Sequence, residues 1–290
     1  MSYSFPGNFK GQNLMRYFII FLLAVLYANI SYAELQFKVT IDSNFTIDPN
    51  NKELELHLKS NTQYDYTLKH TKKGTECTLN SLAIQTWIND EKRLDMFVNS
   101  EFLQNTAING IVKKQKISEL SEGFRKQWTD SIGKVLGRCN NGDIEPLITE
   151  QENTPFAGKG AQRIIDSGIL YSLFLFHPVY KNENSWQSDI QFAIGDGAMA
   201  HGTATYTKTE ETNDTITFNV KASMTPNLQK ESLVVKEGNM ALTGQEQYSK
   251  TDKEWKGGSL NIQVEYPVYI KDSLYSKVNG TMNLSCEPVL

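Results

Sequence analysis

Apolar and polar residues alternate with a period of two along most of this chain. Leu35, Phe37 and Val39 alternate, then Phe45 and Ile47. Leu54, Leu56 and Leu58 interleave with Glu53, Glu55, His57 and Lys59. Ile216, Phe218 and Val220 repeat the pattern, as do Leu260, Ile262 and Val264. Successive side chains of an extended chain point to opposite faces, so each stretch reads as a strand with one apolar face. So many half-buried strands must stack on a second layer or curl into a sheet that covers itself.

The N-terminal half reads as a meander. Tyr64, Tyr66 and Leu68 follow a turn expected at Ser60-Asn61, and Leu82, Ile84 and Thr86 lead to a turn at Asn89-Asp90. Leu94, Met96 and Val98 give a further strand, with Phe97 on its other face. The period then changes: Leu120, Phe124, Trp128, Ile132 and Val135-Leu136 recur every three or four residues. That spacing predicts an amphipathic helix over 119–136, capped by Ser118 or Ser121 and ended by Gly137. Its stripe is expected to cover one side of the sheet.

Residues 144–168, with Pro146, Pro155, Gly158 and Gly160, read as an irregular connection. Gly158-Lys159-Gly160 lacks the rest of a phosphate-binding loop. Residues 169–290 return to strands, beginning with Leu170–Phe176 and including a turn at Gly257-Gly258. The expected class is mainly β (α+β): a large antiparallel curved sheet or open half-barrel with one covering helix. Residues 34–143 form its first part and 169–290 its second, packed as one unit.

Residues 1–33 read as an export signal. Arg16 precedes the apolar run Tyr17–Tyr27, and Ser31-Tyr32-Ala33 supplies small residues for cleavage. Met15 is an alternative start. The run is shorter than the ~20 residues of a spanning helix. The processed chain is expected to be periplasmic or secreted from a bacterium, and not integral in the membrane. No Cys follows the cleavage point to carry a lipid.

Processing removes Lys10 and Arg16 and takes the formal charge from -4 to -6. That argues against a nucleic-acid partner, which needs a basic footprint. Lys113-Lys114-Gln115-Lys116 is the densest basic cluster and reads as a solvated loop or helix start. Cys77, Cys139 and Cys286 lie far apart. In an oxidising compartment one disulfide is expected, Cys77–Cys139 first, with Cys139–Cys286 left open. Neither Cys-x-x-Cys nor His-Glu-x-x-His occurs, so no metal site and no cofactor is expected. Asp196, between Gly195 and Gly197, is a candidate loop acid, with His201 as a conceivable companion. No nucleophile elbow accompanies Ser167 or Ser259, and catalytic residues are therefore not assigned.

His177-Pro-Val-Tyr180 echoes Tyr266-Pro-Val-Tyr269, as two strands entering a sheet past a proline would. The segment His177-Pro-Val-Tyr180 to Ser185-Trp186, with glycine-rich hairpins after it, resembles uncharacterised bacterial secreted or periplasmic β-rich families. In layout alone the chain is also similar to half-barrel lipoprotein carriers that cradle acyl chains. These resemblances imply a non-enzymatic binding or carrier protein for an apolar or envelope-derived ligand. The alternative is a structural or protein-interaction module of the envelope, and a hydrolase comes third. Trp186 and Trp255, near turns, and Phe124 and Trp128, on the helix stripe, are the candidate contacts for an apolar ligand or an envelope protein.

Overall fold

The computed structural model describes residues 35–290 apart from 51–54, 72, 107–109, 123–124, 126–130, 141–142, 148–174, 196–197, 231–232, 236, 271 and 290. The export segment, Phe124, Trp128, Asp196 and most of the predicted connection lie outside the described residues.

Among the described residues fifteen strands form one sheet. The first run is β1 (Leu35–Pro49), β2 (Leu56–Thr71), β3 (Gly74–Ile88), β4 (Glu91–Asn99), β5 (Phe102–Thr106) and β6 (Val112–Lys116). It continues with β7 (Val135–Asn140) and β8 (Asp143–Pro146). The second run is β9 (Ser185–Gly195), β10 (Ala198–Glu211), β11 (Thr215–Lys230), β12 (Leu233–Val235), β13 (Asn239–Ser249), β14 (Glu254–Ile270) and β15 (Ser273–Val289).

Most neighbours in sequence pair as antiparallel hairpins, the exceptions being β6–β7, β8–β9 and β12–β13, and β1 joins the two runs by pairing with β15 from Gln36↔Val289 to Pro49↔Ser276. β12 and β13 occupy one lane between β11 and β14, as a strand interrupted at 236–238. β3 carries β4 and β7 end to end along one edge. Among the described pairings the sheet is open, with β6 and β9 at its two ends.

The alternation determines which face is buried. Phe37, Val39, Ile41, Phe45 and Ile47 of β1 turn inward and are buried, while Gln36, Lys38, Asp42, Asn44 and Asp48 face water. At about 25 cal/mol per Å² of apolar surface removed from water, rows like these supply the main folding force. The sheet is tightly curled. Trp186 on β9 and Trp255 on β14 are four strand steps apart, about 19 Å along a flat sheet, yet their rings lie 6.5 Å apart. On β13, between β11 and β14, Gly244 lets the strands approach: an added Cβ would come within 2.1 Å of the Ser259 carbonyl oxygen.

Several expectations are corrected. The covering helix over 119–136 is overturned, and with it the α+β class. Ile117–Glu119 form a 3-10 turn, and Val135 and Leu136 belong to β7. Gly133 has φ 78° and donates its N–H to Leu79 O at 2.8 Å. Ile132 bridges Leu79 as well. The left-handed Gly133 breaks any helix there, and the sheet takes the backbone groups that a helix would have used.

The disulfide is overturned too: Cys77, Cys139 and Cys286 are all free thiols. Cys77 stands opposite Gly137, and Cys139 stands opposite Thr75. Diagonal partners in a ladder sit about 7–8 Å apart, beyond the reach of an unstrained S–S bridge.

The Ser60-Asn61 turn is absent because β2 runs straight through it. Ser60 points inward and meets Ser43, Oγ to Oγ, at 2.8 Å. Residues 113–116 form the exposed edge strand β6 instead of a loop or helix start. Gly257, with φ 87°, forms a bulge within β14 in place of a turn.

Candidate functional site

The inner face of the second run holds an aromatic box. Trp186 of β9 stacks on Tyr206 of β10 at 5.0 Å and meets Phe218 of β11 edge-on at 4.8 Å. Tyr248 of β13 and Trp255 of β14 are edge-on at 5.4 Å. Tyr180, from the segment that enters β9, fills the box. Its ring stacks on Tyr248 at 3.9 Å and approaches Trp186, Phe218 and Trp255 at 6.2–6.4 Å. Trp255 Nε1 donates to Pro178 O at 2.7 Å, which fixes that segment. His177 lies 5.5 Å from Phe37, and burial lowers its pKa to about 3, so it is neutral at physiological pH.

Trp186 and Trp255, expected near exposed turns, are therefore packing residues, 4% and 3% exposed. Both belong to one cluster, although the sequence placed them in separate turns.

Beside the box lies Glu246. It is fully buried, and among the described residues neither carboxylate oxygen has a hydrogen-bond partner. Burial pushes its pKa well above the ordinary carboxylate value. Its ladder neighbours are Phe218 and Gly258, and Gly258 pairs in turn with Cys286. Glu246 also helps to raise the pKa of Tyr206 and of Cys286, in each case after burial itself. The sequence carried a signal for it: Met240, Leu242 and Tyr248 share its parity on β13, so an acid stands in an apolar register.

The outer face differs in character. Across β3, β2, β1 and β15 a groove of 460 Å³ is built from two neighbouring rows. Trp87, Lys59, Asn44 and Thr281 form one row, and Asn61, Asp42 and Asn283 the other. Two residues of rise separate the rows, about 7 Å. The second row is bonded across the strands. Asn61 Nδ2 donates to Asp42 Oδ1 at 2.7 Å, and Asn261 Nδ2 donates to Asn283 Oδ1 at 2.7 Å. Gln63 Nε2 holds Asn61 Oδ1 at 3.3 Å. At the groove's end Lys59 Nζ meets Asp90 Oδ1 at 2.5 Å, which lowers the Asp90 pKa through that hydrogen bond and the attached charge.

Asp90 and Asn89 both have positive φ, 64° and 48°, in the two-residue turn joining β3 to β4. That turn sets the acid opposite Lys59. Within the described residues no hydrogen bond engages the side chains of Asn44 or Thr281. The groove thus has one pre-tied row and a second in which Asn44 and Thr281 are free for a ligand while Lys59 is tied to Asp90.

Asp196, the proposed companion of His201, lies outside the described residues. His57 is exposed, 3.7 Å from Glu55, and His201 is exposed on β10. Among the described residues no group of three His, Cys, Asp or Glu side chains could hold a metal ion.

No family model matches the chain, and no curated protein matches it. Solved structures give only loose similarity. The β domain of the Bordetella autotransporter BrkA overlays with TM-score 0.23 at 5% identity, over 86% of this chain and 98% of that one. A Rhodopseudomonas blastica porin triple mutant overlays with TM-score 0.18 at 8% identity, over 86% of this chain and 99% of that one. The geometry in common is slight in both cases.

Proposed function

We propose that this protein is an exported, non-catalytic binding module of the bacterial envelope that engages its ligand through the outer groove on β2, β1 and β15. The observation that carries this reading is the contrast between the two faces. Tyr180 fills the inner aromatic box, whereas among the described residues Asn44 and Thr281 stand free beside a pre-bonded polar row. Pre-placed polar groups in a concavity fix a ligand's orientation and supply specificity. An envelope-derived polar ligand suits this groove better than an acyl chain, which would need apolar lining.

Export is supported by the sequence of residues 16–33. Among the described residues no helix is long and apolar enough to cross a membrane. The sidedness of β1 supports a water-facing exterior, because a lipid-facing barrel turns its apolar positions outward and β1 turns them inward.

Co-sedimentation with isolated bacterial envelope material tests the reading. The wild-type protein is expected to pellet, and Asn44→Arg, which fills the groove from an exposed position, is expected to stay folded in solution. Equal pelleting of the two, or none by either, would overturn it.

A further inference from the structure

We propose that the groove binds a neutral, hydroxyl-rich glycan; this rests on the reading of the groove as the binding site. The backbone supplies the first argument. β2, β1 and β15 are interior strands whose N–H and C=O groups are committed to ladders on both sides. Recognition there must use side chains alone, which disfavours an extended peptide, since a peptide adds to a sheet through backbone bonds at an edge.

Charge supplies the second argument. Lys59, the cation lining the groove, is already paired with Asp90. Asp42 remains as an acceptor with no cation on it among the described residues, tied only to the Asn61 amide. A phosphate or uronate would therefore meet an uncompensated carboxylate and no free cation in the groove lining, and like charges in contact are repulsive. A neutral ligand meets no such penalty.

The remaining groups match vicinal hydroxyls. Asn44 offers two donors and an acceptor, Thr281 a hydroxyl that can serve as either, and Asp42 lone pairs. Asn283, whose Oδ1 is taken by Asn261, keeps its NH₂ as a donor in the row of Asp42. A sugar presents paired O–H groups that donate and accept within one ring, and it needs such a mixed set. Trp87 closes the end of the row with a half-buried ring, against which the C–H face of a pyranose can pack; Lys92 Nζ sits 5.3 Å from that ring's centroid. From Trp87 to Thr281 the row spans three strand steps, about 14 Å, the length of a short oligosaccharide.

The test titrates the purified full chain with neutral hexasaccharides, one glucose-based and one based on N-acetylglucosamine, by calorimetry and amide NMR. A hexasaccharide of uronic acid serves as the anionic comparison. At least one neutral probe is expected to bind saturably and to shift the amides of β1, β2 and β15. Asn44→Ala and Thr281→Ala are each expected to weaken it by about tenfold or more, with thermal melts unchanged because neither group holds another. Tighter binding of the anionic probe overturns the inference, as does unchanged affinity in both variants. If envelope material still pellets through the groove but no neutral probe binds up to about 10 mM, the glycan falls and the binding-module reading stands. If nothing pellets, the binding-module reading falls as well.

Discussion

Trp255 Nε1 donates to Pro178 O at 2.7 Å, linking strand β14 to a segment outside the sheet that is 77 residues away in sequence. The bond holds Pro178 so that Tyr180, two residues on, enters the aromatic box. Trp186 lies in the same box, but among the described residues its Nε1 has no hydrogen-bond partner. A buried indole normally finds one, so Trp186 is retained by packing alone. The box therefore depends on its plug.

Tyr180→Ala removes that plug. Truncating a large aromatic leaves a cavity and costs about 3 kcal/mol, at the low end for aromatics because Tyr180 is only partly buried. Urea unfolding measures the loss. The opened box should then accept a small aromatic such as indole, read as a rise in melting temperature that wild type does not show. A variant that keeps wild-type stability would mean that Tyr180 lies on the box without supporting it.

Gly244→Ala should be more damaging than Gly110→Ala. Gly110 has φ 80° and open space where a methyl group would go, so alanine there meets only the left-handed penalty of about 1–2 kcal/mol. At Gly244 the new Cβ would press on backbone, 2.1 Å from Ser259 O. The two strands β13 and β14 must then separate there, at a cost of about 3 kcal/mol or more. Thermal melts of the two variants give the order, and the reverse order would show that the curl is slack.

Most strands were legible because the alternation is a direct imprint of one-sided burial, as in Phe37-Val39-Ile41. The helix misled because Ile132, Val135 and Leu136 have helical spacing but lie across Gly133, whose backbone conformation no spacing reveals. The Ser60-Asn61 turn misled because Ser60 is polar yet buried, satisfied by Ser43 from another strand. Among the site residues, Trp186 and Trp255 were legible as notable but not as neighbours, since only the curl unites them. The groove was not legible at all. Asn61 was expected in a turn, nothing in the local pattern marks Asn44 or Thr281, and their alignment depends on the β1–β2 and β1–β15 registers.

The three thiols should be distinguishable by reactivity. Cys77 and Cys286 are buried, and burial raises the pKa of each. Cys139 is half-buried. The thiolate is the reactive form, so a maleimide should label Cys139 in the native protein and the other two only with global unfolding. Intact mass should give three free thiols even after export to an oxidising compartment, and a reductant should leave the melting temperature unchanged. Native labelling of Cys77 would place it outside the packed interior.

Glu246 sets the direction of the pH dependence. Its pKa in the folded protein lies well above 4.5, because burial without a partner disfavours the charge. The folded state therefore holds a proton that the unfolded chain releases. Its contribution is fully present below the unfolded pKa, and it is lost as pH rises toward the folded value, by about 1.4 kcal/mol per pH unit. Tyr206 and Cys286, which feel the same carboxyl, have pKa values raised well above 9 and stay protonated through this window. Glu211 has its pKa lowered to about 2 by hydrogen bonds and charge from Lys208 and Lys250, so it titrates on the acid side. Glu246→Met removes both the ionisable group and the unpaired oxygens while conserving apolar volume. The variant should match wild type most closely at pH 4.5 and below and gain on it as the pH rises toward neutrality, read in denaturant unfolding. A difference that stays flat from pH 5 to pH 8 would show that Glu246 is solvated in the folded protein.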